Sequence, residues 1–277
     1  MKTAVLIVAH NTREDVVACV EALLSSGAGH ESIYVADNGS TDHTADLIAQ
    51  RFPGIRIIAN PDNRYYAEAT NQLLALADAD YYLLLNPDTR PDFGALQTLL
   101  DRFAADSKLA AVAPQLRYPD GRIQISCRRF PDWRTPWREV LHAGRAGKSS
   151  WKMGDFDHRS ARPVDQPMFS CIWIAGGALS EVGDLDEDYP LFFNDVEWCW
   201  RARQSGFDIC FDPRVAVWHA LGGTTRSYPW RKLVFSHSGF ARFLWRRRQG
   251  SWSGIAGVVG VWMAFPCRAI AALFQHH

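Results

Sequence analysis

The sequence predicts an α/β chain on a mostly parallel central sheet with helices on both faces. Three observations carry that expectation. Short apolar runs rich in β-type residues alternate with helical patterns through residues 1–115. The strand runs end in polar turns at His10-Asn11, Asp37-Asn38-Gly39-Ser40 and Asn86-Pro87-Asp88. A parallel sheet brings such ends to one edge, where ligands bind in open α/β folds. The composition, 47% hydrophobic and 22% charged over 277 residues, is globular rather than disordered.

Residues 3–9 (TAVLIVA) read as the first strand. Val16, Val17, Val20, Leu23 and Leu24 then recur on one face of an amphipathic helix. Glu14 and Asp15 sit in its first turn, where the helix dipole favours acids. A second strand over 32–36 leads into the Asp37–Asp42 turn and a helix that Pro53-Gly54 stops. A third strand spans 55–59 and a third helix 66–77. Tyr81–Leu85 is short, apolar and bounded by Pro87, so it reads as a buried strand. Pro87 has no N–H for a ladder, so the strand stops at Asn86. A helix over 92–105 and a strand over 109–113 follow, the latter ended by Pro114.

Residues 117–168 have no steady period and are expected to form loops over a cleft. Beyond them come the apolar run Cys171–Ala178, a helix over about 195–204 closed by Gly206, and two short strands at 207–211 and 215–219. The six cysteines form no CxxC pair and sit mostly in apolar runs, as reduced core residues do.

Formal net charge is zero, yet from Pro213 to His277 there are nine Arg or Lys and no acid. Trp230, Leu233, Val234, Phe240, Leu244 and Trp245 gather near one helical face, and residues 249–267 carry no charge. A spanning helix needs roughly 20 apolar residues, and several glycines and Pro266 interrupt this stretch. A Trp-rich basic helix followed by an apolar one is expected to lie on an anionic membrane surface. The alternative is a helix packed on the main domain. No nucleic-acid partner is expected.

Several residues suit chemistry. No GxGxxG or GxxxxGK[ST] occurs, so neither a dinucleotide fold nor a P-loop is supported. Asp37 could accept from a nucleobase or ribose, and Asp88 could hold a hard divalent cation against a pyrophosphate. Asp195 follows the aromatic run Tyr189–Phe193, and such surroundings raise a carboxylate's pKa towards that of a useful base. It could equally cap the helix that follows. His219 ends a strand run before Gly222-Gly223-Thr224-Thr225, a setting open to a metal-ligand or a structural role.

Taken in order, Val8-Ala9-His10-Asn11, Asp37-Asn38-Gly39-Ser40-Thr41-Asp42, Asn86-Pro87-Asp88, Gly176-Gly177-Ala178, Asn194-Asp195-Val196-Glu197 and Val217-Trp218-His219 resemble the family-2 inverting glycosyltransferases of GT-A fold. The nearest group is that of the bacterial rhamnosyltransferase-like members that build surface polysaccharides. The resemblance covers residues 3 to about 225. It implies a nucleotide-diphosphate sugar donor, a dTDP- or UDP-sugar, held by Ala9, Asn11, Glu14, Asp37, Asn38, Asn86 and Asp88. It implies Mg²⁺ or Mn²⁺ on Asp88 and His219. Asp195 would be the general base, and Trp173, Gly176, Gly177 and Glu197 would line the acceptor side. The acceptor would be lipid-linked or a glycan, and the enzyme would sit at the cytoplasmic face of the cell membrane.

That resemblance divides the chain into a nucleotide-sugar half (1–115), an acceptor-binding and catalytic half (116–229) and a membrane-associating helical segment (230–277). Asn194 stands where the family usually has Glu, and Glu197 where Asp is common. Tyr65 and Glu68 put bulk in a usually glycine-rich loop, so Tyr65, Tyr66, Trp173 and the 117–168 segment are expected to set sugar and acceptor. The Gln-x-x-Arg-Trp signature of processive synthases is absent, which favours addition of a single sugar. Two other functions fit less well: a non-catalytic nucleotide-sugar sensor or scaffold, and a sugar-nucleotide nucleotidyltransferase.

Overall fold

A computed structural model describes residues 1–141, 151–220, 229–249 and 251–274. Its first four strands are β1 (Thr3–Ala9), β2 (Ile33–Asn38), β3 (Arg56–Asn60) and β4 (Tyr81–Leu85). They lie parallel in the order β3-β2-β1-β4, connected by α1 (Arg13–Ser25), α2 (Thr44–Arg51) and α3 (Tyr65–Leu76). Ala9 lies opposite Asp37, and Asp37 opposite Ala59. The polar turns after these strands therefore share one edge, as their sequence order predicts.

Beyond β4 the chain turns through β5 (Thr89–Arg90). The expected single helix over 92–105 is instead two short ones, α4 (Phe93–Gln97) and α5 (Asp101–Ala105), with a 3₁₀ turn between. β6 (Leu109–Arg117) runs through Pro114 rather than stopping there. β10 (Cys171–Ala175) pairs β6 at Ala111 and Val112, so Pro114 falls beyond that pairing and its missing N–H breaks no ladder.

The 117–168 segment is more ordered than its lack of period suggests. It holds β7 (Cys127–Arg128), α6 (Thr135–Leu141), β8 (Arg162–Pro163) and β9 (Gln166–Pro167). β7 and β9 pair antiparallel, Arg128 opposite Gln166. Residues 142–150 of the expected cleft cover lie outside the described residues. β10 then enters antiparallel between β4 and β6, followed by α7 (Gly176–Val182) and α8 (Asn194–Gln204). The two strands expected over 207–219 are one, β11 (Asp208–His219), with a register shift between Asp212 and Ala216. A bulge beside Pro213 absorbs what the sequence shows as a break. The sheet order is β3-β2-β1-β4-β10-β6-β11-β5.

Strand alternation sorts the core onto both faces. Leu83 and Leu85 join Val5, Ile7, Val16, Val20, Leu23 and Val217 on one side. Leu84 joins Leu6, Leu73, Ile172, Trp198 and Phe211 on the other. The cysteines with described side chains are free thiols, four of them buried, in line with the core role expected.

The C-terminal helices α9 (Pro229–Arg247) and α10 (Trp252–Phe274) form a third cluster. In it Phe240, Phe243, Leu244 and Val261 pack on Tyr189, Phe193 and Val196. Gly239 permits the approach, since a Cβ there would meet the Phe192 carbonyl oxygen at 2.9 Å. Of the apolar face expected on α9, Phe240 and Leu244 are buried, while Trp230, Val234 and Trp245 are exposed. The positive tail also finds acids within the molecule: Arg246 pairs with Asp186 and Asp188. Arg247 stacks 3.8 Å over Trp200. Much of the basic character that suggests an outside partner is thus used internally.

The β11 bulge is held by charge. Asp212 is fully buried and accepts from Arg102 Nε (2.6 Å), Arg214 Nε (2.9 Å) and the Arg214 backbone N–H (3.0 Å). Burial pushes its carboxyl up, and these donors outweigh that to leave it below the usual range. Arg214 also pairs with the exposed Asp101. Both arginines can reach water once unpaired. Asp212→Ala is therefore expected to cost about 1–3 kcal/mol in urea unfolding, and Asp101→Ala less than about 1 kcal/mol.

Candidate active site

The donor edge is a connected polar cluster. The Asn11 backbone N–H donates to Ser40 Oγ (2.8 Å), and Ser40 donates to the Asp37 carboxylate. Asn11 takes a left-handed φ of 50° and its Oδ1 accepts from the Thr41 N–H at 2.8 Å. Asn38 is buried, donates to the Tyr65 carbonyl (2.8 Å) and accepts from Asn60 (3.0 Å). Asp37 is nearly buried, Ala9 lies beneath it in the sheet, and Glu14 is exposed on the first turn of α1. Backbone and neutral donors pre-arrange this edge, and among the described residues no cation forms an ion pair with Asp37.

At the adjoining strand end, Asp88 and His219 meet although 131 positions apart in the chain. β5 pairs with the end of β11, Thr89 opposite His219, which makes the contact. His219 Nε2 lies 3.3 Å from Asp88 Oδ1, and the two residues are 2% and 6% exposed. Gln124 sets the ring: its Nε2 donates to the His219 carbonyl (2.6 Å), which turns its Oε1 to His219 Nδ1 at 2.9 Å. Nδ1 then donates to Gln124, which leaves Nε2 facing Asp88. One nitrogen and one carboxylate donor with a fixed ring suit a divalent cation. Among the described residues no third His, Cys, Asp or Glu joins them, so a bound diphosphate would have to complete the coordination.

Asp195 sits at the start of α8 under the β7–β9 ribbon. Gln166 Nε2 donates to its Oδ2 at 2.7 Å, and the Val196 N–H donates to its Oδ1 at 2.8 Å. The expected capping role is not seen: the N-cap of α8 is Phe193, and Asp195 is the second residue of the helix. Arg128 is Gln166's direct cross-strand partner, so both side chains lie on one face of the ribbon. Burial pushes the Asp195 carboxyl up to about 6, against the pull of the Val196 N–H and the Arg128 charge. Gln166 is 2% exposed and its Oε1 is buried with no partner among the described residues. Such a group costs about 1–3 kcal/mol, which the fold bears at this site.

The two halves are tied close together. The Asn86 N–H donates to the Ser170 carbonyl (2.9 Å), and Asn86 Nδ2 to Ser170 Oγ (3.2 Å). Gln166 and Ser170 are four positions apart, a reach of about 14 Å at full extension. The segment from Gln166 to Ser170 thus links Asp195 to the Asn86–Asp88 turn. Tyr66 adds a further link, its hydroxyl donating to the Phe169 carbonyl at 3.3 Å.

Four expected acceptor residues lie elsewhere. β10 runs antiparallel to β4, with Ala175 opposite Tyr81. Gly176 and Gly177 thus emerge at the sheet edge away from Asp88, about 16 Å along the strand, where the Gly176 N–H donates to the Asp80 carbonyl (2.8 Å). Trp173 is 0% exposed and donates from Nε1 to the Leu96 carbonyl (2.9 Å), so it is a core residue. Glu197 is engaged by Arg201 at 2.8 Å, and Arg201 also donates to the Val182 and Asp184 carbonyls. That pair straps α8 to the turn after α7. The expected Gly222–Thr225 loop lies outside the described residues. Gln124, Arg128, Gln166 and Ser170 were not foreseen, because two-residue strands and lone glutamines leave no periodic signal.

The chain is similar to known glycosyltransferases. Residues 4–161 match the family model described as Glycosyl transferase family 2. The chain is 28% identical over 235 residues to the N-acetylglucosaminyl-diphospho-decaprenol L-rhamnosyltransferase of Mycobacterium tuberculosis (strain ATCC 25618 / H37Rv), covering 80% of this chain and 76% of that one. It is 26% identical to the pre-mycofactocin glycosyltransferase of the same organism, over 78% of this chain and 43% of that one. Among solved structures, a mannosyltransferase from Pyrobaculum calidifontis in complex with GDP-Man and Mn²⁺ superposes with a TM-score of 0.60 at 15% identity, covering 99% of this chain and 79% of that one. GalNAc-T7 with UDP, GalNAc and Mn²⁺ superposes with a TM-score of 0.59 at 14% identity, covering 79% of this chain and 44% of that one. The fold is that of the GT-A glycosyltransferases, and with the family model spanning over half its length the chain belongs to glycosyl transferase family 2.

Proposed function

We propose that the protein transfers a single sugar, rhamnose or a close relative, from a nucleotide diphosphate to a lipid-linked acceptor, with inversion. The observation that carries this is the contrast between two carboxylates. Asp88 faces a histidine nitrogen on the donor edge, whereas Asp195 is desolvated, held by two hydrogen bonds and raised to about 6. Environments that push carboxylates apart assign different roles to them. The 28% identical relative, whose name specifies a decaprenol-linked acceptor and L-rhamnose, supports the sugar and acceptor classes.

In this reading Asp37 and Asn11 receive the nucleoside, and Asn38 and Asn86 brace the edge. Asp88 and His219 would hold Mg²⁺ or Mn²⁺, which when bound supplies positive charge against the leaving diphosphate. The acceptor hydroxyl attacks the anomeric carbon from the side opposite the diphosphate. Asp195 takes the hydroxyl proton as the new C–O bond forms and the bond to the diphosphate oxygen breaks. Gln166 and the Val196 N–H hold the carboxylate at a fixed angle, which favours a near-attack geometry.

Three outcomes are expected. Asp195→Asn lowers turnover by about 10²- to 10⁴-fold while donor-induced thermal stabilisation stays at the wild-type level; wild-type turnover would sink the base assignment. The acid limb of kcat/KM has its midpoint near 6, because the base works ionised and is lost as pH falls through its raised pKa. An acid limb in the ordinary carboxylate range would remove Asp195 from that role. Asp88→Asn removes the Mn²⁺-dependent part of stabilisation by a nucleotide diphosphate, read by thermal shift, without changing the melting temperature of the free protein by more than a few degrees.

A further inference from the structure

α10 carries its side chains in the reverse of the order expected for a helix in water. Gly254, Gly257, Gly260, Val261 and Ala264 face inward, while Trp252, Ile255, Val259, Trp262 and Met263 face outward. The small inward set lets the helix lie close on its neighbours. A Cβ on Gly257 would meet Leu244 Cδ1 at 3.0 Å, and one on Gly260 would meet Trp137 Nε1 at 2.7 Å. Trp137 Nε1 donates to the Ala256 carbonyl at 3.1 Å, which fixes α6 to α10. The outward residues form one stripe, Trp252 being 86% exposed, and the sequence from 249 to 267 has no charged residue. Surface helices ordinarily turn polar residues to solvent, and exposed apolar patches of this extent mark an interaction surface.

We propose that this face rests in the interfacial layer of an anionic phospholipid bilayer, with α10 parallel to the membrane plane. Tryptophans near both ends of the described stripe suit the headgroup level, where an apolar ring with a polar N–H is favoured. Charge also selects a bilayer: no acid follows Asp212 in the sequence, and exposed Lys232 and Arg248 lie near the two ends of α9. Arg242, Arg246 and Arg247 are engaged within the protein, so apolar burial supplies most of the binding and the cations flank it. No described helix is long and apolar enough to cross a membrane, and the inward face of α10 is already covered by α6 and α9. The surface connects to the site through α9, which packs on Phe193 and Val196 on either side of Asp195 in the chain. It deepens the proposed function by giving a lipid-linked acceptor its direction of approach, and it is tested without turnover.

The experiment is flotation of the full chain with vesicles of equimolar phosphatidylcholine and phosphatidylglycerol. The wild type is expected to float. Ile255→Asp/Val259→Asp and, separately, Trp252→Ser/Trp262→Ser are expected to lower vesicle partitioning by roughly tenfold or more, with melting curves unchanged. Asp195→Asn is expected to float like the wild type, which separates this surface from the catalytic assignment. Three results would each overturn the proposal: a wild type that does not float, stripe variants that float equally well, or a wild-type dimer that the stripe variants turn into monomers. Complete release of the wild type by moderate salt would overturn the apolar basis of the binding.

Discussion

The antiparallel entry of β10 between β4 and β6, closed by the two Asn86–Ser170 hydrogen bonds, is the constraint on which the site depends. β4 delivers the donor turn outward at its carboxyl end. An antiparallel neighbour must begin where β4 ends, so the residues just before β10 lie beside that turn. Those residues are Gln166 to Ser170, and they reach Asp195 on one side and Asn86 on the other. Had the inserted strand been parallel, its preceding loop would have opened at the opposite edge, and Asp195 would have no fixed relation to the Asn86–Asp88 turn.

The same constraint explains where sequence reading succeeded and where it failed. The parallel strands β1 to β4 were legible because each is an apolar run bounded by Pro, Gly or polar turns. Their shared edge then placed Asn11, Asp37 and Asp88 on the donor side. Strand direction was not legible for β10. Gly176-Gly177 looks like a ligand loop when read along the chain, and only the antiparallel register moves it to the far edge. Trp173 failed for a related reason: an aromatic in an apolar run can face a cleft or the core, and its indole N–H finds a backbone carbonyl within the core. The ribbon residues Arg128 and Gln166 were invisible because two-residue strands have no period. The tail's charge was legible as composition, but its pairing with Asp186 and Asp188 required tertiary structure.

The site sorts its ionisable groups by environment more than by residue type. Asp37 is met by a serine hydroxyl, Asp88 by an imidazole nitrogen, and Asp195 by an amide and a helix N–H in a desolvated pocket. Burial pushes the Asp195 carboxyl up to about 6, into the range where a carboxylate readily takes a proton. Asp212, which is fully buried, is held the other way by Arg102 and Arg214. At Asp212 the Arg214 backbone N–H and the two guanidinium groups outweigh burial, whereas at Asp195 burial outweighs the Val196 N–H and the Arg128 charge.

The β7–β9 ribbon has a bearing on how such a protein can diversify. Its two strands are short, yet between Arg128 and Gln166 the chain makes an excursion of 37 residues that includes α6. Loop-closure entropy grows only slowly with length. Insertions or deletions within that excursion would therefore cost little in closure entropy, provided the ribbon still closes and α6, Met153 and Phe156 keep their packing. A lineage could reshape whatever surrounds the acceptor while the strands beneath the donor stay untouched. The ribbon acts as a hem: cloth on one side can be recut without unpicking the seam on the other.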